Sequence, residues 1–129
     1  MATGFPASTG DVLTAPMFNE LVQFTINTQS GATYTLASTD QYQVLILTSN
    51  AGTKTVRIPT DATTNFGIGT AVTIINTGAG LLTINAVTPG TTTVTSAGAT
   101  SASPTLAQHR AATCIKTAAN TWRVVGAIS

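Results

Sequence analysis

Most hydrolytic and group-transfer sites are assembled from a nucleophile, a general base and tuned carboxylates, and this chain holds few of them. It has one cysteine, Cys114, one histidine, His109, and four carboxylates, Asp11, Glu20, Asp40 and Asp61. A thiolate activated by imidazole is a real nucleophile, so Cys114 with His109 is the first combination to weigh. On one extended segment their spacing turns the side chains to opposite faces, about 16 Å apart at about 3.3 Å per residue. No dyad forms that way, and Cys114 reads as a small buried hydrophobe. The carboxylates fall in four different loops or strand ends, which reads as surface solvation rather than a paired acid and base. Transition-metal sites need three or four clustered ligands, and the lone cysteine leaves no intramolecular disulfide. Phe66-Gly67-Ile68-Gly69-Thr70 has the first two glycines of a dinucleotide fingerprint, but Val72 takes the third place and no helical pattern follows. Thr77-Gly78-Ala79-Gly80 lacks the Gly-Lys-Ser/Thr ending of a phosphate loop. Both read as turns between strands. The expectation is a protein that is not an enzyme, with no metal and no cofactor.

The composition points the same way. Five Lys/Arg against four Asp/Glu give a formal net charge of +1, with 7% charged and 43% hydrophobic residues in a chain of 129. A folded monomer of this mass exposes about 6,400 Å², so the charges are spread at roughly one per 700 Å². Ordinary soluble domains carry about 25% charged residues; here threonine, roughly a fifth of the chain, takes their place. Such a surface has no electrostatic footprint for nucleic acid or for an anionic membrane. The longest aliphatic run, Val44 to Leu47, is far short of a membrane span. Met1 to Gly10 shows neither a basic n-region nor an apolar h-region, so the expectation is synthesis in the cytoplasm without a Sec-type signal.

The elements that must position these residues read as strands. Strand-forming runs occur at Leu21–Ile26, Thr33–Leu36, Gln43–Thr48, Thr53–Ile58, Ala71–Ile75, Leu81–Ala86, Thr91–Thr95, Ala111–Lys116 and Thr121–Val125. Turn clusters separate them, among them Ser49-Asn50-Ala51-Gly52, Asn76-Thr77-Gly78-Ala79-Gly80 and Pro89-Gly90. No internal repeat of fixed period is evident. The pattern predicts an all-β fold, a small β-sandwich or jelly-roll-like barrel over residues 21–129, preceded by an extended N-terminal arm over residues 1–20. Thr88 to Pro104 is low in complexity and reads as a strand with a long exposed loop. Val44 to Leu47 is apolar on both faces, as a strand covered on both sides is; another subunit or a central place in the core supplies the second cover. The arm cannot build its own core, so Phe5, Leu13, Met17, Phe18 and Leu21 are its candidate docking residues. Trp122 has two readings, a core residue or a platform on which a ligand stacks.

The order of motifs is itself informative. Gly31-Ala32-Thr33-Tyr34-Thr35-Leu36, then Val56-Arg57-Ile58-Pro59, Phe66-Gly67-Ile68-Gly69-Thr70, and Asn76-Thr77-Gly78-Ala79-Gly80 with Leu82-Thr83-Ile84 resemble a β-rich module of tailed-bacteriophage virion proteins. The closing Ala112-Thr113-Cys114-Ile115-Lys116, Asn120-Thr121-Trp122 and Val124-Val125-Gly126 are similar to the end of that module, and Gly10 to Ala15 with Asn19 resembles the leader found before it. The resemblance implies a virion structural role, as a head decoration (cement) protein or as part of a tail fibre or baseplate, commonly a homotrimer. It carries over no active-site residues. A short chain with an apolar arm favours a decoration protein on the outer capsid surface, with the major capsid protein as partner; the alternative is a tail-fibre or baseplate module that recognises a host surface glycan.

Overall fold

The computed structural model describes Ala15 and residues 23–129. The arm assigned to residues 1–20 lies outside the described residues apart from Ala15, and Phe5, Leu13, Met17, Phe18 and Leu21 lie outside them too.

Runs rich in Val, Ile and Thr are stiff at the β-carbon and suit a pleated surface. Among the described residues they form ten strands, β1 (Thr25–Gln29), β2 (Thr33–Thr35), β3 (Val44–Thr48), β4 (Lys54–Ile58), β5 (Ala71–Asn76), β6 (Leu82–Ala86), β7 (Thr93–Ser96), β8 (Thr105–Leu106), β9 (Ala111–Ala118) and β10 (Thr121–Gly126), with a 3-10 turn at Ser38–Gln41. They make two sheets, one of six strands in the order β1-β3-β5-β9-β10-β7 and one of four in the order β2-β4-β6-β8. The fold is all-β. Of the two forms expected, it takes the sandwich: a jelly roll is antiparallel, whereas five of the eight pairings among the described residues are parallel.

Parallel neighbours need a long crossover, and in four of the five parallel pairs here that crossover is a single strand of the opposite sheet, whereas β7 reaches β10 through β8 and β9. From β1 to β6 the chain alternates between the two sheets, winding three stacked coils, β1-β2, β3-β4 and β5-β6. The coils do form a repeat, but of unequal length: Ile26 pairs with Leu45 and Leu45 with Thr73, while Thr33 pairs with Thr55 and Thr55 with Thr83. That inequality hides it from a search at fixed period.

Buried inward positions alternate along the second and third coils, while the inward residues of the first are the half-buried polar Asn27, Gln29 and Tyr34. Val44 and Ile46, Val56 and Ile58, Val72 and Ile74, and Leu82 and Ile84 are buried in one core shared by both sheets. Each such side chain contributes about 1.5–3 kcal/mol when buried. Phe66 and Trp122 close the other end, their rings meeting edge to face at 5.5 Å. Trp122 is fully buried, so it belongs to the core, and its reading as a ligand platform is corrected: no face of the indole reaches solvent.

The turns between coils stack as closely as the strands. A β-carbon placed on Gly78 would stand 2.0 Å from the Asn50 carbonyl oxygen, and one on Gly80 2.0 Å from that of Gly52. Only glycine lets these backbones meet. The ammonium of Lys54 bridges them, donating to the carbonyls of Asn50 (2.6 Å), Gly80 (2.8 Å) and Gly52 (3.4 Å). Asn76 adds bonds from Nδ2 to the carbonyls of Gly80 and Leu106, both 2.9 Å.

Two elements differ from expectation. The first strand runs Thr25–Gln29, beyond the expected end at Ile26, because its pairing with β3 continues to Gln29 opposite Thr48, where Gln29 Nε2 also donates to Asn27 Oδ1 at 2.7 Å; Leu21 and Val22 lie outside the described residues. The second is β8, two residues just past the Thr88–Pro104 stretch where no strand is expected, held by Leu106 against Leu82.

Candidate interaction surface

Among the described residues, three charged ones, Lys54, Lys116 and Asp40, are buried, and Asp61 is half-buried. Lys116, fully buried, donates from Nζ to Asp61 Oδ1 (2.8 Å), Asn65 Oδ1 (3.0 Å) and the Phe66 carbonyl (2.7 Å). Asp61 in turn accepts from the Asn120 N–H at 3.0 Å, while its own N–H donates to Asn120 Oδ1 at 2.9 Å. The Lys116 hydrogen bond holds the Asp61 carboxyl below its ordinary range, against the opposing effect of burial. Burial pulls the Lys54 ammonium down from its usual value. Asp40 is 1% exposed and accepts from Tyr34 Oη (2.5 Å), the Ala37 N–H (2.8 Å) and Asn27 Nδ2 (2.9 Å). Asp40 and Asp61 are therefore internal anchors, which corrects their reading as solvated surface groups; Asp11 and Glu20 lie outside the described residues. The signal was there to be read: Lys54 shares strand parity with Val56 and Ile58, and Lys116 with Ala112 and Cys114.

The polar cluster of Asn27, Tyr34 and Asp40 borders an open cleft of about 370 Å³ at the first coil. Burial, then the hydrogen bond that the phenol donates to Asp40, pushes Tyr34 up to about 12. The phenol thus stays protonated and committed to Asp40, and the arrangement serves as a polar end to the stack. Cys114 is fully buried on the inward side of β9, its thiol pushed up to about 12 by burial. His109 sits in an exposed turn at φ 68, so the two supply no nucleophile and base pair. Among the described residues no three His, Cys, Asp or Glu side chains converge as metal ligands, and no helix is long and apolar enough to cross a membrane.

What remains for recognition is the exterior of the two sheets, and they differ. Across the four-stranded sheet, Thr33, Thr55, Thr83 and Thr105 form one outward row, with Thr35, Arg57 and Asn85 in the next. Threonine and polar residues suit a solvated pleat. Across the six-stranded sheet, one outward row reads Thr28, Leu47, Ile75 and Ala111, and the next Ile26, Leu45, Thr73, Thr113 and Val125. Leu45 and Leu47 are the outward half of the run that is apolar on both faces; β3 is an interior strand, and no element among the described residues covers its outer side. Ile26 and Val125 are 56% and 50% exposed. Large apolar patches of this kind mark surfaces that meet another protein.

Comparison of the chain with protein-family models, with curated proteins and with solved structures returns no match.

Proposed function

We propose that the chain is a structural protein of a tailed-bacteriophage virion, a decoration (cement) protein that binds the outer capsid surface through the major capsid protein, as a homotrimer, and stabilises the head. One observation carries this reading beyond the order of its motifs. Lys54 ties stacked turns together from inside, Lys116 and Asp40 are buried on internal partners, and the exterior, apart from Arg57, Arg110 and Arg123, is left largely to threonine, small and aliphatic side chains, the surface of a protein that works by lying against other proteins. A cement protein acts by mass action: binding only the assembled lattice, it stabilises that state over the dissociated one. The glycan-binding alternative loses its one aromatic platform, because Trp122 is in the core.

The test is co-sedimentation of the purified chain with assembled phage heads, followed by imaging of the particles. The expected result is saturable occupancy at regular lattice positions, a higher disruption temperature for decorated heads, and little change between low and moderate salt. Failure to bind heads would overturn the proposal, and a steep loss with salt would overturn its apolar mechanism.

A further inference from the structure

We infer that the outward face of the six-stranded sheet is the surface through which copies of this chain pack together, its occupant being a second copy. The inference deepens the self-association in the proposed virion role and rests on that reading, but not on attachment to a capsid.

The chain carries its own comparison. Both sheets share one core, yet the outward rows of the four-stranded sheet are threonine and then Thr35, Arg57 and Asn85, with no aliphatic side chain, while the rows of the other carry Ile26, Leu45, Leu47, Ile75 and Val125. If both outer faces met only water, nothing would favour this division. Charge narrows the occupant. Arg123, paired with Ile115 on one side and Thr95 on the other, is the one charged residue facing outward from this sheet, and it stands toward the β7 margin. An acidic or basic partner would find almost no complement over the rest of the face. A surface as flat, apolar and nearly uncharged is present among the described residues on the same face of another copy.

The edge argues for cover as well. The Thr25 N–H donates to the Gln43 carbonyl and the Gln29 carbonyl accepts from the Ser49 N–H, so alternate residues of β1 turn to β3 and the backbone groups of Ile26 and Thr28 turn to the open edge. Free edges are usually protected by charge, proline or a bulge, and Thr25–Gln29 holds no charge and no proline. The open strand is continuous with the apolar face, so one occupant covers both.

Size sets the strength. Six strands about 4.8 Å apart and about five residues long give a face of about 29 by 17 Å, on the order of 500 Å² per copy. Three copies turning this face to a common axis bury about 1,500 Å² in all but only about 500 Å² between each pair, below a standard interface. Association is therefore concentration-dependent in free solution and reinforced wherever copies are already held side by side.

Sedimentation equilibrium and light scattering on the intact chain, from about 10 µM to about 1 mM, test this. The wild type should rise in mass to a multiple of 13.1 kDa. Leu45→Lys and Ile75→Lys should associate at least about tenfold more weakly with an unchanged far-ultraviolet spectrum, and Thr83→Lys on the opposite sheet should behave as wild type. Thr28→Lys, at an exposed position of the same face, answers the question if the other two variants fail to fold. A wild type that stays monomeric throughout, or face variants that associate as it does, overturns the inference. So does a monomer that associates only once residues 1–22 are removed, which would place that segment on the face. Mass in free solution and binding to heads are separate measurements, so either reading can fail alone.

Discussion

The contact between stacked turns is the feature most sensitive to a single atom. Replacing Gly80 with alanine adds a β-carbon 2.0 Å from the Gly52 carbonyl oxygen, 2.2 Å from its carbon and 2.7 Å from the Thr53 nitrogen, all backbone. Relief to an ordinary contact of about 3.5 Å needs the turns to part by about 1.5 Å. Lys54 cannot follow both, because it holds Asn50 at 2.6 Å and Gly80 at 2.8 Å with one ammonium. A hydrogen bond from a charged donor is worth about 1.5–3 kcal/mol, and loss of one together with looser packing gives about 3–4 kcal/mol for Gly80→Ala. At about 3–5 °C per kcal/mol for a domain of this size, Tm should fall by roughly 10–20 °C. Gly90→Ala is the control: nothing stands within 4 Å of its added carbon, so Tm should hold or rise slightly. Differential scanning calorimetry on both variants and on Lys54→Met separates steric from polar loss. Coupling between Gly80→Ala and Lys54→Met in the double variant should be strong, since both disturb the same bonds. A Gly80→Ala protein melting within about 2 °C of wild type would refute the stacking argument.

Three further outcomes follow from the interior. The Cys114 thiol, fully buried and pushed up to about 12, should resist a disulfide exchange reagent at about pH 8 in the native chain and react once the chain is unfolded; fast native labelling would place it elsewhere. Because Lys116 holds the folded Asp61 carboxyl below its unfolded value, the stability this carboxylate lends is complete above about pH 4 and lost as pH falls through the lower folded value. Asp61→Asn should therefore lower Tm at neutral pH and flatten the acid limb of Tm against pH, and an unchanged acid limb would count against the pairing. Trp122→Ala should cost about 3–5 kcal/mol in denaturant unfolding, as expected for the largest buried ring, and a cost below about 1 kcal/mol would contradict its place in the core.

The sequence makes the strands legible because alternation and turn chemistry are local. Nine of the ten strands were read, with Trp122 and Val124 on one side of Arg123, since these signals need only neighbouring residues. Winding is not local. Turns such as Asn50-Ala51-Gly52 and Gly78-Ala79-Gly80 read as chain reversals, yet they are the stacked corners of successive coils, and only the register across coils tells the two apart. The place of a charged residue is hidden for a related reason. A lysine in a threonine-rich strand suggests a solvated face, but Lys54 finds three carbonyl acceptors that exist only when two coils meet. The doubly apolar run Val44 to Leu47 divides between the two sides of β3, with Val44 and Ile46 in the core and Leu45 and Leu47 on the outer face, where the proposed contact between copies lies.

The scarcity of charge thereby becomes a statement about kinetics as well as about surface. With Lys54, Lys116, Asp40 and Asp61 engaged inside, the described exterior keeps Arg57, Arg110 and Arg123. Arg57 and Arg123 project from opposite sheets, and Arg110 stands in the turn before β9, so no two of these elements offer an anion a common clamp. Without a charged patch, encounter with any partner proceeds near the unsteered rate of about 10⁵–10⁶ M⁻¹s⁻¹ and gains little at low salt. An apolar face of about 500 Å² then gives weak pairwise contact. Affinity must come from repetition, with neighbouring sites presenting copies at effective concentrations in about the millimolar range. A regular lattice supplies that condition, which is why the proposed place on a capsid and the proposed face between copies support each other physically, although each stands on its own measurement.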